Sequence, residues 1–137
     1  MYRLLCCLTG LSCLFVLGCG PKLPYEVVPL SGTVTYQGTP VPGLPIFFLP
    51  ETGRPSNGFS DKNGKFTMIY TAKVDGVQTG KGTFYFELSP NDGSHYDNRE
   101  LLETIAKKYG KQGHGQGSEL LQFEITKKEK NFELKLE

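Results

Sequence analysis

His95 and His114 are the only two histidines of the chain, and histidine is the side chain best suited to proton transfer or metal binding near neutral pH. Asp92 and Asp97 lie close to the first of them in sequence. A metal site would need these groups to converge, and their spacing does not place two ligands on one strand or helix. We therefore interpret both histidines as exposed loop residues and expect no metal and no cofactor. An enzyme with a loop site around His95 stays open as an alternative.

Two short segments resemble ligand-binding loops. Gly76–Gly82 has the glycines and the lysine of a phosphate-binding loop, but it lacks the following Ser or Thr and leads into a strand instead of a helix. Asp61–Gly64 resembles the start of a calcium loop without its further oxygen ligands and closing glutamate. We interpret the first as a hairpin turn and the second as a turn. With no Gly-x-Ser-x-Gly nucleophile motif, the chain is predicted not to be an enzyme.

The first 18 residues are predicted to form a signal peptide. Arg3 supplies a cationic start, and Leu4–Leu17 is a mainly apolar run. This run is shorter than the roughly 20 apolar residues that a membrane-spanning helix needs, and Pro21 ends any helix soon after it.

Cys19 is the residue whose chemistry the sequence predicts best. Val16, Leu17 and Gly18 precede it in the order of the bacterial lipobox, in which the cysteine receives a diacylglycerol and becomes the new N-terminus. Cys13 fits this pattern less well, because Gly10 stands where an apolar side chain is usual. The alternative is an ordinary signal or anchor segment in which Cys19 is incidental.

Acylation at Cys19 would attach the protein to a membrane, since each buried methylene contributes about 0.8 kcal/mol. Residues 19–29 are then the lipidated N-terminus and a proline-rich tether, with Pro21–Pro29 as a semi-rigid spacer. Gly20 permits transfer to the outer membrane. We expect a location in the cell envelope, at the outer membrane or cell surface, with the periplasmic face of the inner membrane as the other possibility.

Charge excludes two classes of partner. The chain has 15 basic and 14 acidic residues, and loss of Arg3 with the leader leaves 14 of each. Nucleic-acid binding would require a basic stripe, and a polybasic membrane patch is excluded as well, because the longest basic cluster is Lys127-Lys128. The remaining chain has the size of one domain, residues 30–137, and we expect a monomer.

Short alternating segments separated by glycine turns predict an all-β domain. Seven such segments predict a seven-stranded antiparallel β-sandwich. They are Leu30–Tyr36, Leu44–Phe48, Ser56–Ser60, Phe66–Tyr70, Gly82–Ser89, Leu121–Thr126 and Phe132–Leu136. Turns are expected at Gly38, Gly43, Asp61 and Gly64, and a polar turn at 127–131 is expected to join the last two strands.

One short helix interrupts this pattern in a long loop before the C-terminal strands. Leu101, Leu102, Ile105 and Tyr109 recur at helical spacing. Asp97 and Glu100 can form a capping box, and Gly110 offers a C-terminal stop.

The segments Gly32–Pro50 and Ser60–Phe66 resemble the carboxypeptidase regulatory-like domain. Their Gly-x-Val strand, Gly-x-Pro-Val turn and Asp-x-x-Gly-x-Phe hairpin are the motifs of that family. The later part of the chain, from Ile105–Tyr109 to the closing strand Asn131–Leu136, is similar to small bacterial lipoproteins built on the same domain. The resemblance implies a transthyretin-like β-sandwich in which Gly38, Gly43, Asp61 and Gly64 are structural and no residue is catalytic.

Phe47, Tyr85 and Tyr96 are the candidate ligand-binding aromatics. Alternation places Phe47 and Tyr85 on the sheet face opposite Phe48 and Phe84, where they are either exposed or covered by the helix. The leading hypothesis is a lipid-anchored, non-catalytic envelope protein with a structural, adhesive or protein-binding role. The alternative is a carbohydrate-binding module using these rings, so the partner is an unidentified envelope protein or polysaccharide.

Overall fold

The computed structural model describes residues 25–89, 98–111 and 117–137. These residues are mostly β-strand with one helix, which confirms the all-β prediction. The strands are β1 (Val27–Val28), β2 (Leu30–Tyr36), β3 (Thr39–Pro40), β4 (Pro45–Pro50), β5 (Ser56–Phe59), β6 (Lys65–Thr67), β7 (Ile69–Thr71), β8 (Val74–Asp75), β9 (Val77–Gln78), β10 (Gly80–Tyr85), β11 (Leu121–Ile125) and β12 (Glu129–Leu136). The helix α1 spans Arg99–Tyr109.

The strands form two main sheets and one short ladder. The six-stranded sheet has the order β11-β10-β4-β5-β7-β8, and the four-stranded sheet has the order β12-β2-β3, with β6 also paired to β2. The separate ladder joins β1 to β9. Every ladder between described strands is antiparallel except that of β2 with β12, which is parallel. The prediction of a wholly antiparallel sandwich therefore differs from the structure at this pair.

The last two strands belong to different sheets. β11 pairs with β10, whereas β12 pairs with β2. Because the chain crosses between the sheets over the short link 126–128, the predicted turn does not close a hairpin. The predicted strand Phe66–Tyr70 is also divided, since β6 pairs with β2 and β7 pairs with β5, with buried Met68 at the crossing.

The two main sheets share one hydrophobic core. Phe48 and Phe84 from the six-stranded sheet are buried with Val34 and Leu134 from the four-stranded sheet. The Phe84 ring centroid lies 4.9 Å from that of Phe48 and 5.5 Å from that of Phe132 on the opposite sheet. Aromatic contacts therefore connect the sheets face to face, as in a β-sandwich.

Helix α1 packs its apolar stripe into the same core. Leu102, Ile105 and Tyr109 are buried there, as the helical spacing predicts. The helix begins at Arg99, and Asn98 before it uses its side-chain amide to donate to the Pro42 carbonyl at 2.9 Å. The capping residue predicted from sequence, Asp97, lies outside the described residues.

The C-terminal end of the helix is joined to the end of β12. The Tyr109 hydroxyl donates to the Glu137 carbonyl at 2.9 Å and accepts from the Glu137 amide at 3.1 Å. The Tyr109 carbonyl accepts from the Phe86 amide at 3.2 Å. These bonds hold the helix across the end of the sandwich at which β12 terminates.

Residues 25–29, which the sequence assigned to the tether, contact the domain directly. Val27 and Val28 pair with Gln78 and Val77 in the β1–β9 ladder. The Thr79 amide donates to the Glu26 carbonyl at 2.9 Å. The described contacts thus extend the folded unit to residue 25, five residues before the predicted start of the domain at residue 30. The described part of the chain contains no helix with the length and apolarity of a membrane span.

Candidate functional site

Several residues predicted to be functional lie outside the described residues. They are Val16, Leu17, Gly18, Cys19, His95, Tyr96 and His114. The candidate sites that the structure places are the segment where the chain enters the domain, the Phe47–Tyr85 pair, the glycine turns and an exposed apolar groove.

Tyr25, Tyr70 and Arg54 form a cluster where the chain enters the domain. The Tyr70 hydroxyl donates to the Tyr25 hydroxyl at 2.6 Å, and the two rings meet edge to face with centroids 6.0 Å apart. The Arg54 guanidinium carbon lies 5.4 Å from the Tyr70 ring centroid, within the range of a cation–π contact. Burial, with the bond to Tyr25, raises the pKa of Tyr70 to about 12, and Arg54 opposes this shift. The cluster fixes the chain six residues after Cys19.

Phe47 and Tyr85 stack on each other across β4 and β10. They are register partners, their ring centroids are 5.1 Å apart and their planes differ by 14°. Tyr85 is 7% exposed and Phe47 is half-buried. Burial, with a smaller contribution from Glu87, raises the pKa of the Tyr85 phenol. The sequence left open whether these rings are exposed or covered. Tyr85 is covered, so its ring has no open face for a sugar.

The Asp61 carboxylate is used by its own turn. One oxygen, Oδ1, accepts from the amides of Asn63 at 2.8 Å and Lys65 at 2.9 Å. Gly64 follows at φ 72°, a conformation that favours glycine. Phe66 then enters the core at 4% exposure. These contacts give Asp61 a structural role, in agreement with the interpretation of this segment as a turn.

The turns at Gly38 and Gly43 have different supports. Gln37 and Gly38 have φ of 49° and 82°, the positive pair of a two-residue hairpin that connects β2 to β3. Gly43, at φ 71°, donates through its amide to the Ser60 carbonyl at 3.0 Å. Ser60 is therefore part of the same corner as Gly43.

Buried Ser60 is a structural residue that sequence reasoning missed. Its hydroxyl donates to the Val41 carbonyl at 2.6 Å and accepts from the Leu44 amide at 2.8 Å. One side chain thereby satisfies two buried backbone groups before β4. A single serine at the end of a weak strand carries no sequence signal for this role, because its partners lie 16 and 19 residues earlier.

Gly76–Gly82 is extended, and it is not the hairpin turn that the sequence suggested. It contains β9, which pairs with β1, and the start of β10, which pairs with β4 and β11. Gly76 and Gly80 have φ of 123° and 119° on either side of β9. These glycines let the chain leave the short ladder and enter the six-stranded sheet. Within the residues that the structure places, no three His, Cys, Asp or Glu side chains gather into a metal site.

An exposed groove of about 420 Å³ lies between β5, β6 and β7. Phe59 is 55% exposed and Ile69 is 41% exposed along it, with Asn57, Lys65 and Thr67 as polar neighbours. Phe59 and Ile69 alternate with buried neighbours on their strands, so period-two patterning alone could have identified them as outward-facing apolar residues.

Comparisons with protein-family models, with curated proteins and with solved structures found no match to this chain.

Proposed function

We propose that this protein is a lipid-anchored, non-catalytic lipoprotein of the cell envelope that presents a β-sandwich in a structural or protein-binding role. The observation that carries the proposal is the position of the entry cluster. Tyr25 is hydrogen-bonded to Tyr70 six residues after Cys19, so a lipid on Cys19 would hold the folded domain close to a membrane. The spacing fits an anchored domain with a short connection.

Tyr70 and Tyr85 both have a raised pKa, and the causes of these shifts are consistent with structural roles for the two side chains. The pKa of Tyr70 is raised by burial and by its bond to Tyr25, and the pKa of Tyr85 is raised by burial and by the charge of Glu87. Both shifts come first from burial, and the groups concerned hold the N-terminal segment and the six-stranded sheet in place.

The transthyretin-like fold is part of the proposal. All seven segments predicted from sequence contain strands of the structure, and they supply most of the two packed sheets. The additional strands β1, β3, β8 and β9 have two residues each.

At the Phe47–Tyr85 pair, protein binding is favoured over carbohydrate binding because Tyr85 is buried. A carbohydrate platform needs an open aromatic face, and the Tyr85 ring is covered. Polysaccharide binding by the wild-type protein that is lost in Phe47→Ala, with unchanged stability, would reverse this preference.

The intact mass of the protein extracted from cell membranes tests the anchor. We expect a mass equal to residues 19–137 plus lipid in the wild type and in the control Cys13→Ala, and loss of that species in Cys19→Ala. An unlipidated wild type, or lipidation that survives Cys19→Ala, would contradict the proposal. Turnover of an envelope substrate that a point substitution abolishes would contradict its non-catalytic part.

A further inference from the structure

Four segments lie at the end of the sandwich where the chain enters, and we call this end the tether end. They are the entry residues 25–26, the β4–β5 loop 51–55, the β7–β8 turn 72–73 and the β11–β12 link 126–128. The opposite end, the distal end, carries the turn 61–64 and the C-terminus.

Strand registers and hydrogen bonds bring these segments together. Arg54 of the β4–β5 loop lies over the ring of Tyr70, and the Tyr70 hydroxyl bonds Tyr25. Tyr70 lies near the end of β7, so these contacts join the loop, the entry segment and the β7–β8 turn. The Gln78 side chain donates to the Thr52 carbonyl at 2.7 Å and so ties the loop to β9.

The β11–β12 link is placed by its two flanking strands. At the end of β11, Ile125 pairs with Gly80. The residue before Gly80 is Thr79, and its amide donates to the Glu26 carbonyl. Glu129 donates through its amide to the Pro29 carbonyl at 3.0 Å. The link therefore runs from beside β9 to beside the start of β2, across the tether end.

Cations outnumber carboxylates on the tether end. Its four segments carry Arg54, Lys73, Lys127 and Lys128 against Glu26 and Glu51, and all six residues are exposed. None of the ion pairs between described residues involves the four cations. The next residues along the strands carry no positive excess, with Lys81 and Lys130 against Asp75, Glu124 and Glu129. The positive excess therefore lies on the loop tips.

The connection to Cys19 brings this end within reach of a bilayer. At no more than about 3.6 Å per residue, six residues span roughly 20 Å when fully extended. The lysines and arginine extend further from the backbone of the same end, and anionic headgroups attract such side chains over about a Debye length of 8–10 Å.

We propose that the tether end rests on anionic lipid headgroups through Arg54, Lys73, Lys127 and Lys128, so that the distal end faces away from the membrane. This inference rests on the proposed lipid anchor at Cys19. It departs from the expectation from sequence that a basic membrane-facing patch is absent. That expectation considered only neighbours along the chain, whereas the fold brings Arg54 and Lys73 to the same end as Lys127-Lys128.

Single-cysteine probes on the lipidated protein test the orientation. Cys6, Cys7 and Cys13 leave with the signal peptide and Cys19 is acylated, so an introduced cysteine is the one free thiol. Ala72→Cys labels the tether end and Asn63→Cys labels the distal end, and both positions are exposed and uncharged. The labelled proteins are reconstituted into phosphatidylcholine vesicles with or without phosphatidylglycerol, and a headgroup-attached quencher reports proximity to the surface.

We expect the probe at Ala72 to be quenched about twofold or more over the probe at Asn63 in anionic vesicles at about 50 mM salt. The ratio should fall in about 500 mM salt and in vesicles of phosphatidylcholine alone. The double substitution Lys73→Glu with Lys127→Glu should lower it, whereas the matched distal pair Lys62→Glu with Lys65→Glu should not. Circular dichroism spectra of all variants verify that they are folded.

The two proposals fail differently in this experiment. An intact mass without lipid overturns both the anchor and the orientation. A lipidated protein whose two probes are quenched equally, or whose ratio is unaffected by salt and by Lys73→Glu with Lys127→Glu, overturns the orientation alone.

Discussion

The hydrogen bond between Tyr70 and Tyr25 allows us to predict how much the packing of the N-terminal segment contributes to stability. Tyr70→Phe removes one hydroxyl and keeps the ring, so the edge-to-face contact and the Arg54 contact are preserved. A hydrogen bond of this kind contributes about 0.5–1.5 kcal/mol net, and the half-buried Tyr25 hydroxyl can bond water once its partner is gone. For a domain of this size we expect Tm to fall by roughly 2–6 °C.

The same substitution should change the dependence of stability on pH. Tyrosine in the unfolded chain deprotonates near pH 10, whereas the pKa of folded Tyr70 is raised to about 12. Between these values the unfolded chain has lost a proton that the folded protein retains, so the free energy of unfolding falls as pH rises. The contribution is complete below pH 10 and disappears toward pH 12. In Tyr70→Phe the free energy of unfolding should therefore fall less steeply between pH 10 and pH 12 than in the wild type.

Urea unfolding of the purified protein at several pH values measures both effects. The cycle of Tyr70→Phe, Tyr25→Phe and the double substitution isolates the coupling between the hydroxyls, which we expect to be about 0.5–1.5 kcal/mol. Additive single effects, together with a pH profile in Tyr70→Phe that parallels the wild type above pH 10, would refute the reasoning.

Four further substitutions test the packing of the sandwich by urea unfolding at neutral pH. Ser60→Ala should cost about 2–4 kcal/mol because two buried backbone groups lose their partner, whereas Ser56→Ala should change stability by less than about 0.5 kcal/mol because its buried hydroxyl bonds none of the described residues. Equal losses would contradict this account. Gly32→Ala should cost about 3 kcal/mol, since its Cβ would overlap the Phe132 carbonyl oxygen and separate β2 from β12. Gly38→Ala, where a Cβ meets open space at φ 82°, should cost only about 1 kcal/mol. A larger loss of stability in Gly38→Ala than in Gly32→Ala would contradict this explanation.

The alternation of side chains was sufficient to locate the main strands. Val34 and Leu134, for example, are buried at the positions where period two places them. The helix was predictable for the same reason, because Leu102, Ile105 and Tyr109 share one face and all three enter the core. These signals are local, so a single sequence contains them.

The pairing of strands required information that local patterns do not carry. β1 has two residues and lies between Glu26 and Pro29, so nothing in its own sequence indicates a partner fifty residues later in β9. Likewise, the alternation in β12 gives its inward face but not its parallel pairing with β2. The basic character of the tether end was missed because it depends on which loops meet.

The parallel pair of β2 and β12 has a mechanical consequence. β2 starts beside the chain entry, and β12 ends beside Glu137 at the far end of the sandwich. If the protein is held at its N-terminus and pulled at its C-terminus, the two strands are drawn in opposite directions along their common axis. The hydrogen bonds from Gly32 to Tyr36 are then loaded together in shear, not opened one after another from an end. A load applied between the N-terminal segment and Glu137 would therefore pass through the centre of the four-stranded sheet.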